Sequence, residues 1–171
     1  MKKVLFVIAP ELFRDEEFLV PYEYLKSKGI DCTIASTKTG MATGKLGAKV
    51  NAHQKLDEVA ADFYDAISIT GGPGSKTFLW NNKDLIELIQ NFQKQNKLTA
   101  AICSAACILS QAGIMKGKKS SSWPGDQEKE FIKQGGATFV EAPVTVDGLA
   151  ITADGPASAQ KYAEEIWKKL V

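Results

Sequence analysis

Val4 to Ala9 is an unbroken apolar run. A run this short, with no polar alternation, fits a central parallel strand covered on both faces. A parallel neighbour needs a crossover, and Phe18, Tyr22 and Leu25 lie at helical spacing before Lys28-Gly29, with Ile30 to Ser36 as a second strand. The pattern then recurs. Ala66 to Thr70 is a strand running into Gly71-Gly72-Pro73-Gly74, Leu85, Leu88, Ile89 and Phe92 share one helical face, and Leu98 to Ile102 is the next strand. Between these units, the Gly/Thr/Lys-rich stretch Thr37 to Lys49 reads as a loop or small hairpin before Val50. After Cys103, Ser104 to Gly113 reads as a buried helix stopped by glycine. Lys118 to Ser122 is a candidate strand, and Gln127 to Gln134 a short helix closed by Gly135-Gly136. Val144 to Thr152 is a strand pair turning at Asp147-Gly148, and Ala157 to Leu170 the terminal helix. Strands alternating with helices of this length predict a three-layer α/β/α sandwich with a mainly parallel central sheet, residues 1–171 forming a single domain.

Charge narrows the partners. Lys plus Arg total 21 against 20 acidic residues, a net charge of +1, so the basic footprint of a general nucleic-acid or anionic-membrane binder is missing. No stretch approaches the roughly 18 apolar residues of a membrane helix. The opening Met-Lys-Lys and its apolar run lead into Asp15, Glu16 and Glu17, which reads as a buried strand rather than an export signal. Three cysteines without a secretory context point to reduced thiols and a cytoplasmic location. The glycines at 71, 72 and 74 lack a following Lys-Ser/Thr at phosphate-loop spacing, and no Gly-x-Gly-x-x-Gly follows the first strand. One histidine and no paired cysteines at zinc spacing leave no metal set, so no cofactor is expected.

Ligands of parallel sheets collect at the carboxyl ends of the strands. Three such ends hold unusual residues: the first leads to Glu17, another ends in Gly71-Gly72, and a third ends in Cys103. A cysteine between a strand and a helix faces unpaired backbone N–H groups and the positive end of the helix dipole, which favour thiolate. The amides of Ser104 and Gly72 are placed to stabilise an oxyanion once the thiolate attacks a carbonyl, as at a nucleophile elbow. The plainer alternative is a buried core thiol. Cys107, one helical turn on, and Cys32, within a strand, read as packing, and His53 as a solvated surface residue. Glu17 on its own is a member of a charge run at a helix start.

Several stretches taken in order resemble the ThiJ/PfpI superfamily, which includes the parkinsonism-associated deglycase and the PfpI-type intracellular peptidases. They are Glu17-Phe18-Leu19-Val20-Pro21-Tyr22, Tyr64 to Gly72, Ala101-Ile102-Cys103, Leu109 to Lys118, and Pro143 to Thr152 with Gly155-Pro156 beyond. The resemblance implies a flavodoxin-like, class I glutamine-amidotransferase-like fold with Cys103 at the elbow. It makes Cys103 the reactive cysteine and Glu17 its carboxyl partner, protonated and hydrogen-bonded to the sulfur. Gly72 and Ser104 become the oxyanion donors. Gly71 lies at the pocket, and Trp123 either lines it or packs. The resemblance also implies a homodimer or higher homo-oligomer.

Two departures bear on activity. Peptidase-type members carry histidine directly after the cysteine, where this chain has Ser104, and Ala105 replaces the usual glycine. The deglycase-like branch carries a pocket histidine before a proline, where this chain reads Ser121-Ser122-Trp123-Pro124. General base work then falls to Glu17 or water. Three functions follow from these residues. The first is attack of Cys103 on small reactive carbonyls, in glyoxalase III-like or deglycase-like chemistry. The second is a stress sensor or chaperone-like factor working through oxidation of Cys103. The third is an intracellular cysteine peptidase, which Ser104 argues against.

Overall fold

The computed structural model describes residues 1–171. In chain order the elements are β1 (Lys3–Val7), β2 (Glu11–Phe13), α1 (Asp15–Ser27), β3 (Asp31–Ser36), β4 (Gly40–Gly44), β5 (Lys49–Ala52), β6 (Gln54–Lys55) and β7 (Ala66–Ile69). A π-helical turn over Ser75–Leu79 leads to α2 (Lys83–Lys94) and β8 (Leu98–Ile102). A 3-10 turn over Cys103–Ala105 opens α3 (Ala106–Gln111), followed by β9 (Lys119–Ser120), α4 (Asp126–Gln134) and β10 (Thr138–Phe139). The hairpin β11 (Val144–Asp147) and β12 (Ala150–Ala153) precedes α5 (Ala159–Leu170).

The main sheet has the order β11-β12-β8-β7-β1-β3-β6, parallel throughout except for the antiparallel edge strand β11. From β1 the chain moves outward to β3 on one side and then returns to β7 on the other. The carboxyl ends of β1 and β7 therefore flank a topological switch point, where open α/β sheets bind ligands. β1, β7 and β8 are buried along nearly their whole length, which is why their sequences run apolar without alternation. Helix α1 begins with Asp15, Glu16 and Glu17 in its first turn, where acidic side chains meet the positive end of the dipole. An aromatic cluster docks it. Phe18 and Tyr22 stack at 5.0 Å, and Phe18 meets Phe6 of β1 edge-on at 5.7 Å.

The strands and helices expected from periodicity are present, and the differences are local. Thr37 to Lys49 holds β4 and the turn into β5, and this hairpin, which runs on to Ala52, pairs through β4 with β2 in a separate three-stranded sheet. The helix expected from Ser104 starts later, because the chain first makes the 3-10 turn at the elbow. Of Lys118 to Ser122 only β9 is strand, and it pairs with β10 outside the main sheet. No helix is long and apolar enough to cross a membrane.

Candidate active site

Cys103 follows β8 in the left-handed region, at φ 61°. A non-glycine residue there is strained by roughly 1 kcal/mol or more, a conformation common at functional sites. The turn is braced by hydroxyls. Ser75 donates to the Gly72 carbonyl at 2.8 Å, the Ser75 and Ser104 hydroxyls lie 2.6 Å apart, and Trp80 Nε1 donates to the Ser104 carbonyl at 2.8 Å. The Ser104 side chain is thereby committed to Ser75 and Gly72, away from base chemistry.

Glu17 is 1 % exposed and Cys103 8 %. Glu17 Oε2 accepts the Gly71 N–H at 3.0 Å, while Oε1 is buried with no partner of good geometry. Gly71 makes this closeness possible: a Cβ there would lie 2.5 Å from Glu17 Oε2 and 2.7 Å from both Cys103 Cβ and the Ile102 carbonyl. Gly72, at φ 102°, sits equally tightly against the Arg14 and Leu12 backbone. The neighbouring turn is closed by the Arg14 N–H, which donates to the Gly71 carbonyl at 3.0 Å.

Burial pushes the Glu17 carboxyl up to about 7, against the opposing pull of the Cys103 thiol, the Gly71 amide and the Arg14 charge. Its unpartnered Oε1 is the oxygen a proton would occupy. Burial also pushes the Cys103 thiol up, and a charged Glu17 pushes it further, while the Ser104 and Gly72 amides pull it down. The thiolate expected from the helix dipole is therefore corrected for the resting site. The sulfur is buried, and only a 3-10 turn and the six-residue α3 stand behind it. Protonation of Glu17 removes the like charge and turns the carboxyl into a hydrogen-bond donor, which is the state that favours thiolate.

Above the pair lies an open cleft of about 520 Å³, lined by Arg14, Glu17, Lys45, Gly72, Pro73, Lys76, Cys103, Ser104, Trp123 and Pro156. Glu17, Cys103, Gly72, Ser104 and Trp123 thus share one site, and Gly71 lies just beneath it. His53 is exposed and apart from the cleft, and Cys32 and Cys107 are both pushed up to about 12 by burial. No three His, Cys, Asp or Glu side chains converge to hold a metal. Sequence reading did not single out Arg14, Lys45 or Lys76, because each sits in a loop or turn that only the tertiary fold brings to the cleft.

The DJ-1/PfpI family model matches residues 2–169. An uncharacterized protein of Methanocaldococcus jannaschii is 42 % identical over 168 residues, 98 % of this chain and 82 % of that protein. A protein of Pyrococcus horikoshii named as a deglycase is 34 % identical over 168 residues, 98 % of this chain and 99 % of its own. Among solved structures, a ThiJ/PfpI domain protein from Brachyspira murdochii superposes with a TM-score of 0.92 at 28 % identity, covering 99 % of this chain and 98 % of that one. With likeness in sequence and in fold extending over almost its whole length, the chain belongs to the DJ-1/PfpI family.

Proposed function

We propose that this protein uses Cys103 and Glu17, without a cofactor, to act on small reactive carbonyl compounds or their adducts, in glyoxalase III-like or deglycase-like chemistry. The observation that carries this reading is the buried pair at the cleft floor: a thiol in strained backbone beside a carboxyl that holds its proton to about 7. Relatives named as deglycases point the same way.

With methylglyoxal, the Cys103 sulfur adds to the aldehyde carbon and the carbonyl oxygen gains a proton, giving a hemithioacetal. The Gly72 and Ser104 amides, which face the sulfur, stabilise the oxyanion formed in that step. Glu17 as carboxylate takes the proton from the former aldehyde carbon and returns it to the neighbouring carbon, while the hydroxyl proton on the first oxygen passes to the oxygen of that neighbouring carbon. One carbon is oxidised and the other reduced within the same molecule, leaving a lactoyl thioester. Water then cleaves the C–S bond, releasing lactate and restoring the thiol. A group titrating at about 7 suits both proton transfers. With no histidine in the cleft, turnover is slow.

The test is methylglyoxal loss with lactate formation in the absence of glutathione. Cys103→Ala abolishes it, and Glu17→Gln lowers kcat/KM at least about a hundredfold. Wild type as inert as Cys103→Ala overturns the reading.

A second reading shares the site. A protonated Glu17 and two amides aimed at the sulfur would hold the oxygens of a sulfinate, making Cys103 a redox sensor in a stress-response or chaperone-like protein. Two oxygens gained at Cys103 under peroxide, with no carbonyl turnover, favour this alternative. A Cys-His peptidase is disfavoured by the commitment of Ser104 to Ser75. We place the protein in the cytoplasm, where its three thiols stay reduced, as a homodimer. Light scattering should then return twice the 18.5 kDa chain mass.

A further inference from the structure

The cleft over Cys103 is lined by three cations, Arg14, Lys45 and Lys76, and by one acidic residue, Glu17. The three stand differently. Arg14 forks onto Glu16, with Nε donating at 2.8 Å and Nη2 at 3.1 Å. Lys76 pairs with the buried Glu128 carboxylate and lies over the Trp80 ring. Lys45 has no ion pair and no side-chain hydrogen bond. Nor is it among the main charges acting on Glu17 or Cys103, which are Arg14, Glu16 and the pair itself. Its charge is thus unspent on the resting pair, and it lies at the rim while the sulfur lies at the floor.

The backbone that carries this lysine is held in place, while its side chain is exposed. Asp15, 5 % exposed, accepts the Leu46 N–H at 2.7 Å and the Ala48 N–H at 2.8 Å, and the Lys45 N–H donates to the Phe13 carbonyl at 2.8 Å. A side chain at Gly44 would collide with the Asp15 carboxylate. The turn that carries Lys45 is therefore clamped to the first turn of α1, two residues from Glu17.

Resting on the carbonyl reading above, we propose that the cleft selects small carbonyl compounds that carry an anionic group, a carboxylate or a phosphate. Lys45 receives the anion while the carbonyl carbon meets Cys103. Lys76 and Arg14 retain further N–H donors for the same group. A cleft of about 520 Å³ admits a molecule of this kind with room to spare. Lys45 determines specificity and takes no part in the chemistry.

The experiment separates selectivity from turnover. Cys103 is alkylated with iodoacetate and with iodoacetamide, reagents of nearly equal size that differ in charge, and the ratio of the two rates is compared with that for N-acetylcysteine. The expected ratio is roughly tenfold higher in the protein, and it falls at least about threefold toward the free-thiol value in Lys45→Met and in high salt. A wild-type ratio equal to that of the free thiol, or one unmoved by Lys45→Met, overturns the inference. If alkylation is too slow to time, calorimetric titration with glyoxylate and with glyceraldehyde 3-phosphate decides. Binding weakened at least fivefold by Lys45→Met supports the inference, and the tighter of the two probes identifies the anion. No binding of either, or binding unchanged in the variant, overturns it. Anion preference with no methylglyoxal turnover leaves the anion selection by Lys45 standing and removes the methylglyoxal chemistry, whereas turnover with no anion preference does the reverse.

Discussion

Glu17 is a residue whose burial costs the protein stability. Its folded carboxyl keeps its proton to about 7, against an ordinary value of 4.5. Below about 4.5 both states are protonated and the group contributes nothing. As pH rises from there the unfolded chain loses the proton first, so the folded state binds more protons and stability falls until about pH 7. The full penalty, about 3 kcal/mol, applies above that. Glu17→Gln copies the protonated form, with an oxygen to accept the Gly71 N–H. It should raise the melting temperature by several degrees at pH 8 and match wild type near pH 4.5, as thermal denaturation at the two pH values would show. A variant no more stable at pH 8 would mean the carboxyl is not held protonated. This residue was hard to read from sequence. Asp15-Glu16-Glu17 looks like one solvated charge run, yet Asp15 clamps a turn, Glu16 pairs with Arg14 and Glu17 enters the core. Only packing distinguishes the three.

Among the elements, the turn after β7 and the elbow after β8 are made for each other. Gly71→Ala would drive a methyl into the Cys103 Cβ, the Ile102 carbonyl and Glu17 Oε2, two of which belong to the elbow itself. We expect a loss of about 1–3 kcal/mol in urea denaturation, with carbonyl turnover falling further than stability does. Both glycines and the cysteine were legible because they punctuate strands that run apolar to their ends. β2, β6 and β10 were not legible. Each is two or three residues long and exists through pairing with distant segments: β2 with β4, β6 with β3, and β10 with β9. The β4–β5 hairpin was half visible, since Thr43, Lys49 and Asn51 at exposed positions and the glycines that bound β4 also suit a loop.

On the scale of the whole molecule, a single cluster of 47 buried apolar residues joins the sheet to the helices on both faces. Such continuity predicts one cooperative transition, with calorimetric and van't Hoff enthalpies in agreement. A van't Hoff value well below the calorimetric one would divide the chain into separate units. The architecture was legible because strands covered on both faces leave an apolar run that few other folds produce, whereas the cationic lining of the cleft depends on segments that meet only in three dimensions. The tryptophans carry a practical consequence. Trp123 stands half exposed at the cleft rim, Trp80 is bonded to the elbow carbonyl, and Trp167 lies under Lys28, outside the cleft lining. Two of the three tryptophans thus lie at the cleft or against the turn that carries Cys103, and the intrinsic emission of the unlabelled protein becomes an optical gauge of whether the cleft is occupied.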